Sequence, residues 1–530
     1  RTAVLPLPAA DYRGLQTGKP GTLYVLRGSE ALDPDADGPG GRAALLRWTA
    51  EDKKTETLAE NVLDYELSAD GQKLLVGFAP PSAGAAAVPG APRPKPTYMI
   101  AAADKPVKST DTEGRLKLDA LQVRTDPQAE WAQMYREVWR IQRAYFYDPN
   151  FHGYDTRAAE QRLAAYLPAL QSRSDLNYLF QEMLTGFSVG HLRGSGGAIP
   201  AARRVPGGLL GADYVLRGGR TCISKLYTGG SWSPDAKAPL AQPGLGIRAG
   251  DCILSVNGTP VSSDADIQQP LEGLAGQAVV LRIAPASGGP AREVTVVPVA
   301  SEARLRNLDW IEGNRRRVAE LSGGKLAYVY LPDTGAGGFT NFNRYFFAQT
   351  DKQGVVVDER FNGGGQAADY IVEVLGRQLA SWWQPRYGGV ERTPGSAILG
   401  AKVMIANEVS GSGGDFLPWL FKYRGVGPVV GKRTWGGLVG IGPIPTLMDG
   451  GQVTSPSVGF FSPKGEWDVE NRGVDPDYVV EQDPKAVAAG HDPQLEAAVA
   501  LAMKALEKSP PPQPQRPSFP VYTAGSGGEP

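Results

Sequence analysis

The chain has 530 residues with 55 basic and 56 acidic side chains, so no long-range field argues for nucleic acid or an anionic membrane as a partner. Hydrophobic residues make up 42% and charged residues 21%, the balance of a soluble globular protein of about three or four domains. No apolar run approaches the ~20 residues that span a bilayer. Three histidines and two cysteines, with no metal-ligand spacing between them, leave no zinc cluster and imply no metal or cofactor.

Residues 1–122 read as β. Thr22–Leu26 and Ala44–Trp48 are strand-like. Tyr65–Leu67 and Lys73–Val76 flank Ser68-Ala69-Asp70-Gly71, where Asp-Gly supplies the positive φ of a tight hairpin. Such hairpins cannot bury a core alone, and they fit the C-terminal blades of a β-propeller whose other blades precede Arg1. The start at Arg1 reads as a partial or processed chain, and the Pro/Ala/Gly run 79–96 as a loop.

From Asp126 the period changes. Trp131, Met134, Tyr135, Val138, Trp139, Ile141 and Tyr145 recur at helical spacing. Two more helices are predicted over 155–171 and 174–185, the second from an N-cap at Ser174. Residues 123–202 thus form a small helical domain that ends on Ser188-Val189-Gly190-His191 and its flanks. Residues 203–302 return to β. Cys222 and Cys252 sit among apolar neighbours and are predicted to be buried thiols, with a disulfide between them as the alternative. The stretch Gly246–Val261, with a helix over Asp264–Leu274 and a strand over Ala278–Ile283, resembles a PDZ domain. Such domains bind peptides by strand addition, with Gly208, Leu209, Leu210 and Gly211 at the loop that would hold a terminal carboxylate.

Residues 303–506 alternate strand and helix. Strands are predicted at Lys325–Tyr330, Gly354–Asp358 and Lys402–Ala406, with helices at Ala367–Leu379 and Asp415–Tyr423. Residues 507–530, rich in Pro, Gly and Ser, read as a disordered tail.

Chemistry concentrates in three places. A strand, the small-residue turn Ser410-Gly411-Ser412-Gly413-Gly414, and a helix start would expose the Ser412 hydroxyl at a tight corner, the logic of a nucleophile elbow. By spacing alone, a loop that merely caps a helix fits as well. Asn362-Gly363-Gly364-Gly365 follows a buried strand, so its N–H groups could face a ligand. They could form half of an oxyanion hole; a phosphate loop is the weaker alternative, since neither Gly-Lys-Ser/Thr nor Gly-x-Gly-x-x-Gly is present. A general base calls for histidine. His491 reads as a solvated loop residue and His152 as a structural hydrogen-bonding group. His191 lies between small residues where a substrate could approach, and alone it leaves both readings open.

The motifs Tyr147–Gly153, Ser188–His191, the PDZ-like module, Asp358–Gly365, Gly411–Asp415, Lys432–Gly440 and Val469–Asp477 occur in one order. This order closely resembles the C-terminal half of the tricorn protease family, relatives of the carboxyl-terminal processing peptidases, over about residues 122–506. The resemblance implies a multidomain protein: β-propeller remnant, helical domain, PDZ-like β domain and an α/β catalytic domain of ClpP/crotonase type. It implies a serine peptidase acting on short or unfolded peptides, with Ser412 as nucleophile, His191 as base and Glu470 orienting the base. Gly413 and either Gly364 or Gly365 would form the oxyanion hole. A homo-oligomer, as large as a hexamer, and a cytoplasmic location are implied too, with a periplasmic or secreted location as the alternative.

Two positions depart from the family pattern. Gly190 replaces a serine that bridges histidine to glutamate, which leaves a direct contact, a water or Ser188 to complete the relay. Gly413 replaces an aspartate but keeps its N–H. Trp382, Trp383, Arg386 and Tyr387 are pocket candidates by location. The competing readings are a catalytically inactive peptide-binding scaffold and a nucleotide-binding enzyme using Gly363–Gly365.

Overall fold

The computed structural model describes every residue except 1–4, 6, 8–9, 29–42, 81–94, 201, 203–204, 231–235, 237, 262–266, 521 and 523–530. Most of the predicted 79–96 loop and the end of the predicted tail therefore lie outside the described residues. The chain forms two compact units. One comprises residues 1–124, 203–226 and 233–302, the other 125–202, 227–232 and 303–530.

In the first unit, residues 12–102 form one six-stranded antiparallel sheet in sequence order. Its strands are β1 (Tyr12–Thr17), β2 (Thr22–Gly28), β3 (Ala43–Thr49), β4 (Lys54–Leu67), β5 (Lys73–Phe78) and β6 (Thr97–Ala102). The β4–β5 turn closes as its sequence predicts. Gly71 takes φ +65° and Ser68 N–H bonds back to Lys73 O (3.0 Å).

The same unit holds a second antiparallel sheet in the order 292–296, 279–284, 252–256, 220–226 and 212–217. Cys222 and Cys252 stand directly opposite each other in it and form a disulfide. The expectation of two thiols is thus corrected: strand pairing, not local sequence, brings the sulfurs together. The predicted helix over Asp264–Leu274 is not found among its described residues, which hold one 3-10 turn at Gln269–Leu271. In the loop expected to hold a carboxylate, most backbone donors are engaged within the chain. Gly208 N–H bonds Leu271 O (2.9 Å), Leu209 N–H bonds Val299 O (2.8 Å) and Gly211 N–H bonds Glu302 Oε1 (2.6 Å). Three of its four donors already have acceptors within the chain, so the loop is a structural closure.

In the second unit, helix α1 (Pro127–Tyr145) buries Met134, Tyr135, Val138 and Trp139 against α2 (Thr156–Ala164) and α3 (Arg173–Thr185). The single helix expected over 155–171 stops at Ala164. A separate 3-10 turn, Leu167–Ala169, follows, because Pro168 has no N–H to continue the ladder. The N-cap of α3 is Ser172 rather than Ser174. Its hydroxyl accepts from Asp175 N (3.1 Å), and Asp175 accepts from Ser172 N (2.9 Å), a capping box.

A five-stranded parallel sheet follows, in the order 326–330, 354–358, 402–406, 429–431 and 478–479. Helix α4 (Ala303–Leu321) precedes it; α5 (Ala336–Phe347), α6 (Ala368–Leu375) and α7 (Gly413–Tyr423) connect its strands. Every residue of Leu326–Tyr330 and Gly354–Asp358 is buried, as strands covered on both faces must be. Each Val buried this way contributes roughly 1.5–3 kcal/mol. The loops at the carboxyl ends of these strands, 331–335, 359–365, 407–412 and 432–439, gather at one edge, where open α/β sheets hold ligands. Arg360 anchors that edge with paired bonds to Asp358 and to Asp492, the N-cap of helix Pro493–Lys508.

Candidate active site

Ser412 stands between strand Lys402–Ala406 and α7, half-buried, with φ 59° and ψ −118°. A left-handed φ is uncommon for a non-glycine residue and has to be held in place by its surroundings. Asp415 provides the hold: its Oδ2 accepts from Ser412 N (2.8 Å). The next residue, Gly413, opens the helix, and its N–H has no acceptor among the described residues.

Gly364 lies against Ser412. A Cβ built on Gly364 would fall 2.6 Å from the Ser412 Cβ and 3.0 Å from its Oγ, so no larger residue fits this approach. The Gly364 N–H, however, already donates to Asn362 Oδ1 (2.9 Å). Of the two expected donors in that turn, Gly365 alone keeps its N–H without an acceptor among the described residues. It is close to the other free donor, since a Cβ on Gly413 would stand 2.7 Å from the Gly365 nitrogen.

His191 follows α3 in a half-buried loop and also has a left-handed φ of 62°. Its ring meets the Trp435 indole edge-on at 5.3 Å. Trp435 in turn donates its backbone N–H to Ser410 O (2.9 Å) and packs against Gly411, so one indole touches both the histidine and the serine loop. Burial lowers the His191 pKa, and the nearby Glu470 charge opposes that shift. Burial thus favours the neutral imidazole, the form that can accept a proton.

Glu470 makes no hydrogen bond to His191 among the described residues. Its Oε1 accepts from Gly190 N (2.6 Å), and its Oε2 from Leu438 N (2.6 Å) and Val439 N (2.9 Å). Next to it, Asn471 Nδ2 donates to Ser188 O (2.7 Å), and the Thr454 hydroxyl donates to His191 O. The histidine loop is thus held through its backbone on both sides of the ring. Ser188 offers only its carbonyl to this network.

Asp415 acts on the same 434–439 loop from the other side. It accepts from Gly436 N (2.8 Å), Gly437 N (3.1 Å) and the Thr434 hydroxyl. Four consecutive N–H groups, Gly436 to Val439, are therefore divided between two carboxylates. The sequence reading missed Asp415, Trp435 and Asn471. The Ser412-x-x-Asp415 spacing, the signature of a capping box, is the signal that could have found the first.

The remaining histidines behave as expected. His152 is fixed by Tyr147 OH (2.8 Å) and Phe187 O (3.2 Å), while His491 is exposed beside Glu496. Trp382 and Trp383 lie in a hairpin, 381–383 with 391–393, and Arg386 stacks on the exposed Tyr387. None of the four makes a hydrogen bond or ring contact with Ser412, His191 or Glu470 among the described residues. Clefts of about 500 and 520 Å³ flank the histidine loop, the first lined by Tyr147, Phe460, Trp467 and Glu470, the second by Ser188, Trp435 and Asn471. No described helix is long and apolar enough to cross a membrane.

Comparison with known proteins fits this arrangement. Residues 127–185 match the tricorn protease C1 domain, 208–301 the tricorn protease PDZ domain and 325–480 peptidase family S41. Tricorn protease homolog 1 of Streptomyces coelicolor is 35% identical over 529 residues, covering 98% of this chain. The chain belongs to the tricorn protease family. The tricorn protease of Thermoplasma volcanium is 28% identical over 95% of the chain. A crystal structure of the tricorn protease superimposes with a TM-score of 0.83 at 28% identity over 94% of the chain. The chain spans about half the length of these relatives: 48%, 47% and 47% respectively.

Gly190, where the family resemblance leads one to expect serine, fits its surroundings closely. A Cβ there would lie 2.9 Å from Gly437 Cα and 3.3 Å from both Glu470 Oε1 and Trp435. Gly190→Ser should therefore destabilise the second unit by about 1–3 kcal/mol through overpacking. Denaturant unfolding checks this, and an unchanged midpoint would refute it.

Proposed function

We propose that the chain is the catalytic half of a tricorn-like serine peptidase, in which Ser412 attacks the peptide carbonyl and His191 is the general base. The observation that carries this reading is the pair of unused backbone donors, Gly413 N–H and Gly365 N–H, set beside a strained serine. His191 takes the Ser412 proton as the acyl-enzyme forms and delivers it to the leaving amine; water then releases the acyl group by the reverse relay. The two donors hold the tetrahedral oxyanion, each contributing about 3 kcal/mol. The positive end of α7 adds to their effect. Glu470 orients the base indirectly, through the Gly190 N–H, so the relay that Gly190 interrupts runs through backbone instead of a serine hydroxyl.

On the family's account, the substrates are short or unfolded peptides. On the same account the 12–102 sheet belongs to a β-propeller, residues 325–480 form a ClpP/crotonase-type domain, and the protein works as a homo-oligomer. The scaffold reading loses support because three of the four donors in the loop expected to hold a peptide carboxylate are engaged within the chain. Replacing Ser412 by Ala is expected to abolish both peptide hydrolysis and labelling by a fluorophosphonate. Retained hydrolysis would remove the reading. With His191 lowered by burial, the labelling rate should fall on the acid side with a midpoint below that of an unperturbed histidine. A midpoint at or above the ordinary value would argue against His191 as the base.

The Cys222–Cys252 disulfide favours the periplasmic or secreted location over the cytoplasmic one, because such bonds persist in oxidising compartments. Alkylation of the denatured native protein should modify no cysteine before reduction and both after it. Two reactive thiols without reduction would reverse this reading.

A further inference from the structure

Glu359 is fully buried on the turn after strand Gly354–Asp358. Its backbone is bonded on both sides: its N–H donates to Ile405 O (2.9 Å), and its carbonyl accepts from Ser410 Oγ (2.9 Å). It therefore packs against the loop that carries Ser412. Its carboxyl is another matter, since neither oxygen has a hydrogen-bond partner among the described residues. The Ser410 hydroxyl beside it gives its proton to the Glu359 carbonyl.

Nor does a cation compensate it. Arg360, the next residue, is engaged with Asp358 and Asp492. The titratable groups that face Glu359 are Asp415 at the start of α7, Asp358 on its own strand and Tyr330 on the neighbouring strand. An ionised Glu359 would face two carboxylates, with the Ser410 hydroxyl as the one group beside it among the described residues that favours its charge. Asp415 differs sharply: it is equally buried but accepts from Ser412 N, Gly436 N, Gly437 N and the Thr434 hydroxyl. Neighbouring carboxyls with such unlike surroundings divide protons unequally.

We propose that Glu359 is a positioning residue held as a neutral carboxylic acid against the nucleophile loop, with the pair's single charge on Asp415, and that its ionisation loosens this loop at alkaline pH. Burial, and then the Asp415 charge, push the Glu359 carboxyl well above the usual glutamate range. A second negative charge here would act on Asp415, the group that holds Ser412 and two N–H groups of the 434–439 loop. The folded state keeps a proton that the unfolded state releases, so the stabilisation is complete below the unfolded pKa. It is lost as pH rises through the folded one. Glu359→Gln has no proton to lose.

Infrared difference spectra of the whole chain test the protonation state without reference to catalysis. At neutral pH the wild type should show a protonated-carboxyl C=O band that is lost in E359Q. Labelling the wild type with carbon-13 glutamate should shift the same band, which identifies it even if the variant does not fold. An ionised carboxylate at neutral pH overturns the proposal whether or not the chain is a peptidase. The loosening rests on the peptidase reading and is followed by fluorophosphonate labelling of Ser412. The band and the labelling should disappear together as pH rises, and in E359Q the alkaline fall should move up by more than about one pH unit. Coincident alkaline limbs in the two proteins would overturn the positioning role. A chain that never labels would instead remove the peptidase reading, with the infrared band still deciding where the proton is.

Discussion

Four consecutive backbone N–H groups, from Gly436 to Val439, are held by two carboxylates that belong to different parts of the chain. Asp415 takes the first two and also the Ser412 N–H; Glu470 takes the last two and also the Gly190 N–H. The loop is thereby a rigid spacer between the serine and the histidine. A buried carboxylate is costly unless several donors converge on it, and backbone N–H groups are donors that cannot rotate away. Each acid therefore fixes geometry along with its own charge. Trp435, at the start of the same loop, fills the gap by touching His191 and Gly411.

The strain in the backbone maps onto this clamp. Among the described residues, eleven non-glycine positions have a positive φ, and six of them lie in the three segments that the clamp joins and the turn beside them: Ser188, His191, Phe361, Ser412, Val469 and Asn471. Such conformations persist only where neighbouring bonds over-determine them. Here the bonds are visible: Asn471 to Ser188 O, Thr454 to His191 O, Asp415 to Ser412 N, and Asn407 Oδ1 to Phe361 N (3.0 Å). The packed sheet and the Arg360 network below supply the rigid base on which this strain is held.

The sequence made the large elements legible because they depend on local signals. The apolar strands 354–358 and 402–406, the Asp70-Gly71 turn and the helical period of α1 all appear where their residues predict. So does the strand–serine–helix corner, since small residues between a strand and a helix leave few other conformations. What stayed hidden depends on contacts distant in sequence. The disulfide needs strand 220–226 to pair in register with 252–256, which no feature of either segment specifies. Gly364 and Gly365 look alike as residues, and only the Asn362 side chain separates the engaged donor from the free one. Glu359 reads as one more charged residue in a loop, and its burial emerges only once strand 402–406 and α7 close over it.

Gly190 shows how backbone can make a contact without a side chain. A serine hydroxyl bridging glutamate to histidine would add a rotatable donor and require room for a Cβ, and Gly437 Cα occupies that room. The N–H of Gly190 reaches the same carboxylate at 2.6 Å without either demand. Its direction is set by the peptide plane shared with Val189, and the His191 that follows is held in a left-handed conformation by Thr454 at its carbonyl. Orientation of the imidazole is then inherited from the backbone on both sides, with the Trp435 indole limiting its rotation. The consequence is an asymmetry between the two carboxylates: Asp415 bonds the backbone of Ser412 itself, whereas Glu470 bonds the residue before His191 and reaches the ring mainly through its charge, which opposes the effect of burial on the histidine.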